Sequence, residues 1–217
     1  INLLNIAEDK TINFEKLKKI THLAVHFLDN VIDMCEYPLK ENKKIVYKNR
    51  KIGLGVMGFA DMLIKLGIAY DSEKGLETGE EVMRFISKEA SIASSNLAAK
   101  RGNFPAWKDS IYHKKSRYFK GCHIPLRNAT KTTIAPTGTI SIIADTSSGI
   151  EPLFALSYAR KTAEGNVLVY FNDDLKKALK ENNLYNDERA RIISPGPDCF
   201  RRSGETGCAL LTTRLLL

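Results

Sequence analysis

The chain has 217 residues, 43% of them hydrophobic and 27% charged, with a formal net charge of +8. That balance suits a folded globular protein with one sizeable core or two small ones and excludes a disordered chain. The longest uncharged run, Thr132 to Ala144, is too short to span a bilayer and carries Pro136 and Gly138, so no membrane partner is expected.

In chain order, Ile1 to Ile6 is an apolar start that reads as the end of a strand. Asn13 is placed to cap a long helix from Phe14 to about Cys35. Its apolar stripe is Leu17, Ile20, Leu23, Ala24, Phe27, Leu28, Val31 and Ile32. His22, His26, Asp29 and Asp33 fall on the other face. Two His one turn apart could share a metal, but the residue after His22 is Leu23 and not the Glu of the zinc-protease pattern. A solvated polar face is therefore expected, with no metal site. Tyr37 and Pro38 end the helix.

Gly53, Gly55 and Gly58 match the dinucleotide fingerprint in spacing, but Lys48 to Lys51 before them is charged and not a strand. A close approach of backbone between a short strand and a helix over Phe59–Leu66 explains the glycines better. Asp71 and Ser72 open a second long helix, Glu73 to Lys100, with Val82, Phe85, Ile86, Ala90, Ala93 and Leu97 inward and Gly102 as its C-cap. Phe104 to Lys120 is irregular and aromatic. The basic runs Lys40–Lys51 and His113–Lys120 read as solvated surface. Aromatics are not interleaved with the bases, so no nucleic-acid partner is expected.

Thr130 to Ile134 is β-branched and reads as a buried strand that Pro136 stops. Then Thr137, Gly138, Thr139, Ile140 and Ser141 set small hydroxyl residues around a glycine at a helix start. Free backbone N–H groups there make an anion site, with Gly138 allowing close approach and the hydroxyls donating to phosphate oxygens. An ordinary capped turn is the alternative. Ser147 to Pro152 forms a second turn. Phe154–Arg160 and Val167–Phe171 read as strands, and Asp173 and Asp174 start a helix through about Lys180. Cys35, Cys122, Cys199 and Cys208 are scattered, with no CxxC pair, as expected for free thiols in a cytoplasmic protein.

Several runs, in this order and spacing, carry a family likeness: Phe27 to Asp33, Tyr37 and Pro38, Ile52 to Asp61, Arg127 to Thr130, Ile134 to Ser141, and Ser148 to Pro152. They resemble the large catalytic chain of ribonucleotide reductase, and the form of the Pro136–Ser141 loop is most similar to the adenosylcobalamin-dependent class. The resemblance implies an α/β fold, the later part of a ten-stranded α/β barrel, incomplete here. It implies an oxidoreductase that makes deoxyribonucleotides from ribonucleotides by radical chemistry. Pro136, Thr137, Gly138, Thr139, Ile140 and Ser141 would hold the substrate phosphates. Asn128 and Glu151 match fixed positions of the family and are read as structural.

By the same resemblance, adenosylcobalamin is the cofactor, and a ribonucleoside di- or triphosphate is the substrate. A thioredoxin-like reductant serves the full enzyme, which is a homodimer when complete. The radical and reducing cysteines lie upstream of the segment that Ile1, Asn2 and Leu3 resemble, so no catalytic residue is expected here. The chain, beginning with Ile, is expected to be a fragment. Residues 1–187 form the partial barrel domain, and 188–217 form a tail of abruptly different composition that need not be native family sequence. A non-catalytic phosphate- or nucleotide-binding module is the alternative function.

Overall fold

Three extended segments run parallel, side by side and in chain order. Met57 N–H donates to Ile1 O (2.9 Å) and Leu3 N–H to Met57 O (2.9 Å), forming a parallel bridge at Asn2 and Met57. Leu54 N–H donates to Lys131 O (2.8 Å) and Thr133 N–H to Leu54 O (3.1 Å), forming a second bridge at Leu54 and Thr132. Helices fill both connections: α1 (Phe14–Met34) and α2 (Lys40–Asn49) in the first, α3 (Phe59–Leu66) and α4 (Glu73–Arg101) in the second. Parallel neighbours joined by helical crossovers are the repeating unit of an α/β barrel. The computed structural model describes residues 1–8, 10–153, 157–161, 167–172, 176, 177, 180 and 183. They fall into two units, 1–152 and 153–217.

The strand expected over Thr130–Ile134 reduces to one bridge, and Ile134 is 47% exposed. Stepping back two residues from the Leu54 bond, a regular ladder would take Ile52 N–H to Ala129 O. It goes to Thr130 O instead (3.1 Å), while Ala129 N–H turns to Asn49 O (3.1 Å). This one-residue slip ends the pairing.

The caps are where the sequence puts them. Asn13 accepts from Lys16 N–H (2.9 Å) and starts α1; Ser72 accepts from Gly75 N–H (3.1 Å) and starts α4. Gly102, at φ 82°, follows the end of α4. Residues 40–49 of the charged run form helix α2, just under three turns long, which buries no residue and so shows no apolar period. Arg50, just past its end, is buried and departs from the solvated surface expected of the run. A short ribbon, β1 (Ala7–Glu8) with β2 (Thr11–Ile12), precedes α1. In the second unit, β3 (Ser157–Lys161) pairs antiparallel with β4 (Val167–Phe171), from Ser157 opposite Phe171 to Lys161 opposite Val167. The start of the expected strand at Phe154, the helix start at Asp173, Cys199, Cys208 and the 187/188 boundary lie outside the described residues.

The buried stripe of α1 is Leu17, Thr21, Val25, Asp29 and Ile32, facing α4, while Leu23 (69% exposed) and Phe27 (64%) point outward. The solvated polar face expected for His22, His26, Asp29 and Asp33 holds for His26 and Asp33, which are exposed, and is corrected for His22, which is half-buried, and for Asp29. His22 Nε2 sits 2.7 Å from buried Glu89 of α4, and His26 Nε2 lies 3.0 Å from Arg101. Asp29 is fully buried. Its Oδ1 accepts from Arg50 Nε (3.0 Å) and Asn128 Nδ2 (3.0 Å), and its Oδ2 from Arg101 (3.3 Å) and Arg127 Nε (3.4 Å). Arg50, itself 3% exposed, also grips both carboxylate oxygens of Asp33 (2.8 and 2.9 Å). Asn128 completes the set with Ser94 of α4 (2.9 Å) and Arg50 O (3.2 Å).

A carboxylate taken out of water is stable only while its partners remain. Replacing Asp29 by Ala leaves buried Arg50 with Asp33 as its one carboxylate partner and is expected to cost about 3–5 kcal/mol of stability in a urea melt. Hydrogen bonds from Arg50 hold Asp33 below the usual 3.8. Its contribution is thus complete above 3.8 and is lost as pH falls through the lower folded value. Stability measured against pH should show this acid-side loss in the native chain and not in Asp33→Asn.

Candidate functional site

The turn after the third extended segment is shaped by residues that cannot continue it. Pro136 offers no N–H, and Thr137 adopts the left-handed conformation at φ 54°. Helix α5 (Gly138–Ile143) follows, with Ser141 N–H bonded to Thr137 O (2.9 Å). Six residues without a side-chain cap hold little helix by themselves. The second turn supplies the support. Gly149 N–H donates to Thr137 Oγ1 (2.7 Å), and Ser141 Oγ lies 2.8 Å from Ser148 Oγ. Gly149 has φ 52°, and a Cβ there would lie 2.9 Å from Ala135 O, so backbone approaches backbone between the two turns.

The six residues proposed from sequence divide by this geometry. The N–H groups of Gly138, Thr139 and Ile140 have no acceptor among the described residues, and all three residues are exposed. The Thr139 hydroxyl stands beside them with no partner among the described residues. Thr137 Oγ1 accepts from Gly149 and keeps its own proton to donate. Ser141 is buried, and its hydroxyl is turned inward to Gly138 O (3.2 Å) and Ser148. Pro136 shapes the turn, and the side chain of Ile140 is 56% exposed. Three convergent amides with one or two hydroxyls, at the positive end of a helical turn, suit an anion with several oxygens.

Gly138 has an ordinary φ, and a Cβ on it would meet nothing within 4 Å. Neither backbone conformation nor packing requires a glycine there. Gly53 and Gly55 are different: a Cβ would lie 2.6 Å from Thr133 Cγ2 at Gly53 and 2.8 Å from Thr133 O at Gly55. They let the second segment approach the third; the expected close approach is there, but its partner is Thr133 and not the helix over Phe59–Leu66.

Asn128 is fully buried in the Asp29 network, a structural place. Glu151 is exposed, with its N–H closing the second turn onto Ser148 O (2.9 Å). Cys35 and Cys122 are exposed free thiols. Among the described residues no three His, Cys, Asp or Glu side chains group to hold a metal, and no helix is long and apolar enough to cross a membrane. An open cleft of about 340 Å³ lies on α1 and α4, lined by Phe14, Glu81, Arg84, Phe85 and Lys88. Sequence reasoning missed Asp61, which reaches the second turn from α3. Its signal was a carboxylate in the first turn of a helix whose one other charged residue is Lys65, which reads equally as a favourable charge at a helix start.

Residues 1–203 match the family model described as ribonucleotide reductase, barrel domain. The chain is 47% identical over 189 residues to a vitamin B12-dependent ribonucleoside-diphosphate reductase of Thermoplasma acidophilum, covering 87% of this chain and 24% of that protein. A protein of the same description from Mycobacterium tuberculosis is 41% identical over 188 residues, covering 87% and 26%. Among solved structures, the Actinobacillus ureae class Id ribonucleotide reductase alpha subunit superposes with a TM-score of 0.68 at 25% identity, covering 88% of this chain and 32% of that one. The chain thus spans about a quarter of the length of the curated relatives it matches.

A methyl group at Gly55 would press on the carbonyl of Thr133. Gly55→Ala is expected to lower stability by about 1–3 kcal/mol. Gly138→Ala, which meets no neighbour, is expected to raise the melting temperature by about 1–4 °C.

Proposed function

The chain belongs to the ribonucleotide reductase family, and from that premise we propose that it supplies the substrate-phosphate loop of a reductase acting on ribonucleoside diphosphates. The observation that carries the proposal is Gly138, a glycine with no structural need, amid three amides without acceptors. The N–H groups of Gly138, Thr139 and Ile140 and the hydroxyls of Thr137 and Thr139 would hold the phosphate oxygens. Pro136 would fix the entry of the turn and Ser141 its inner wall, and Ile140 would flank the site. Amides fixed by the fold need no reorganisation when the anion arrives, so the loop orients the nucleotide for chemistry elsewhere in the longer protein. The names of the B12-dependent relatives favour a diphosphate substrate.

We propose the same dependence on adenosylcobalamin for the whole enzyme, where it would supply the radical. The cleft on α1 and α4, at about 340 Å³, is of small-molecule size and does not fit a corrin, and the buried orphan hydroxyl of Ser147 lies at the phosphate turn. No step of the cofactor's chemistry is assigned to these residues. The radical and reducing cysteines, a thioredoxin-like reductant, homodimer formation, cytoplasmic location and the 1–187 domain limit belong to the same reading of the longer protein.

In a complete reductase carrying this segment, Gly138→Val would fill the space where a phosphate oxygen approaches. Loss of one charge-assisted hydrogen bond, about 1.5–3 kcal/mol, corresponds to a KM raised roughly 10- to 150-fold. Steady-state kinetics with a nucleoside diphosphate measure it, and an unchanged KM would remove the loop from substrate binding.

A further inference from the structure

We propose that Asp61 is the positioning residue of the phosphate loop, acting from the first turn of α3 through the second turn, Thr146 to Gly149. The inference rests on the loop reading above. Asp61 is 4% exposed, and its Oδ2 accepts two bonds, from Thr146 Oγ1 (2.8 Å) and from the backbone N–H of Ser147 (2.5 Å). The other side of Ser147 is held from the same place, because its carbonyl accepts from Gly58 N–H (2.8 Å), the residue just before α3. Ser147 is thus gripped at both its N–H and its C=O by the start of one helix.

The second turn passes that constraint on. Ser148 Oγ meets Ser141 Oγ, and Gly149 N–H meets Thr137 Oγ1. Thr137 and Ser141 bracket the three free amides. The path therefore runs from Asp61 to Ser147, from Ser148 and Gly149 to Thr137 and Ser141, and so to Gly138, Thr139 and Ile140. Nothing within α5 could replace it, since that helix is one and a half turns long and has no side-chain cap. The crowding at Gly58 marks how closely the parts meet: a Cβ there would run into Thr146 Oγ1 and lie 2.7 Å from Asn2 Oδ1. Asp61 touches no ligand in this arrangement. Its Oδ2 is occupied by inward donors, which leaves the N–H and O–H groups of the loop for the anion.

The test uses the 217-residue chain, ¹⁵N-labelled and titrated with pyrophosphate, with thermal melts alongside. The native chain is expected to show saturable shifts at the amides of Gly138, Thr139 and Ile140. Asp61→Asn is expected to weaken that binding at least fivefold while the rest of the spectrum stays native. Thr137→Val is expected to do the same, and Thr137→Ser, which keeps the hydroxyl, to restore it. A lower melting temperature in Asp61→Asn with native pyrophosphate affinity would reduce Asp61 to a fold-stabilising role and overturn the inference. If Asp61→Asn does not fold, Thr146→Val, which removes a donor to Asp61 and lies outside the phosphate loop, decides in its place, and unchanged affinity overturns the inference. Absence of saturable shifts in the native chain would bring down the loop reading and this inference with it. Binding lost only in the variants supports both.

Discussion

The buried carboxylate of Asp29 is the constraint on which the larger unit depends. It sits on α1 but takes its donors from the end of α2 (Arg50), the end of α4 (Arg101), and the segment leading into the third extended stretch (Arg127 and Asn128). Hydrophobic burial is non-directional and would allow α1 to slide or turn against α4. A desolvated carboxylate with four directed donors does not, because any shift leaves a buried charge unpaired. The cluster therefore fixes register where the apolar core fixes only proximity.

That register reaches the candidate site through the backbone. Arg127 and Asn128 are pinned to Asp29 and Ser94. Two residues later Thr130 O accepts from Ile52 N–H, and Lys131 O from Leu54 N–H, setting the third segment against the second. The same second segment runs into Gly58 and α3, whose first turn carries Asp61. The Pro136–Ser141 turn thus hangs between two anchors, a strand start referred to Asp29 and a second turn referred to Asp61. Both anchors are buried carboxylates accepting from backbone or side-chain donors of distant segments. Each converts helix position into loop position.

What the sequence disclosed follows from the range over which each signal acts. Caps are local, so Asn13, Ser72 and Gly102 mark helix ends correctly from the residue types alone. Glycine crowding is half-local: the spacing of Gly53, Gly55 and Gly58 shows that something comes close, without saying that it is Thr133 and Thr146. Buried charge is not local at all. Asp29 recurs at the spacing of Thr21 and Val25, the face that is buried, yet a polarity pattern reads it as solvent-facing because Arg101 and Asn128 lie 72 and 99 residues away. The same blindness puts Leu23 and Phe27 inside when they are outside. Helix α2 escaped notice for the opposite reason: with no buried residue it has no stripe to detect.

The glycines give the strongest argument for the site, by elimination. Gly58, Gly67, Gly102, Gly121 and Gly149 have positive φ, where side chains are strained. Gly53, Gly55, Gly75 and Gly79 have ordinary φ but lie against neighbours that a Cβ would crowd. Gly138 alone among the described glycines has neither reason, and as a helical residue it costs stability relative to alanine, about 0.5–1 kcal/mol. On the reading proposed above, that cost is offset by a phosphate group, which would approach the backbone closely and take hydrogen bonds from Gly138, Thr139 and Ile140.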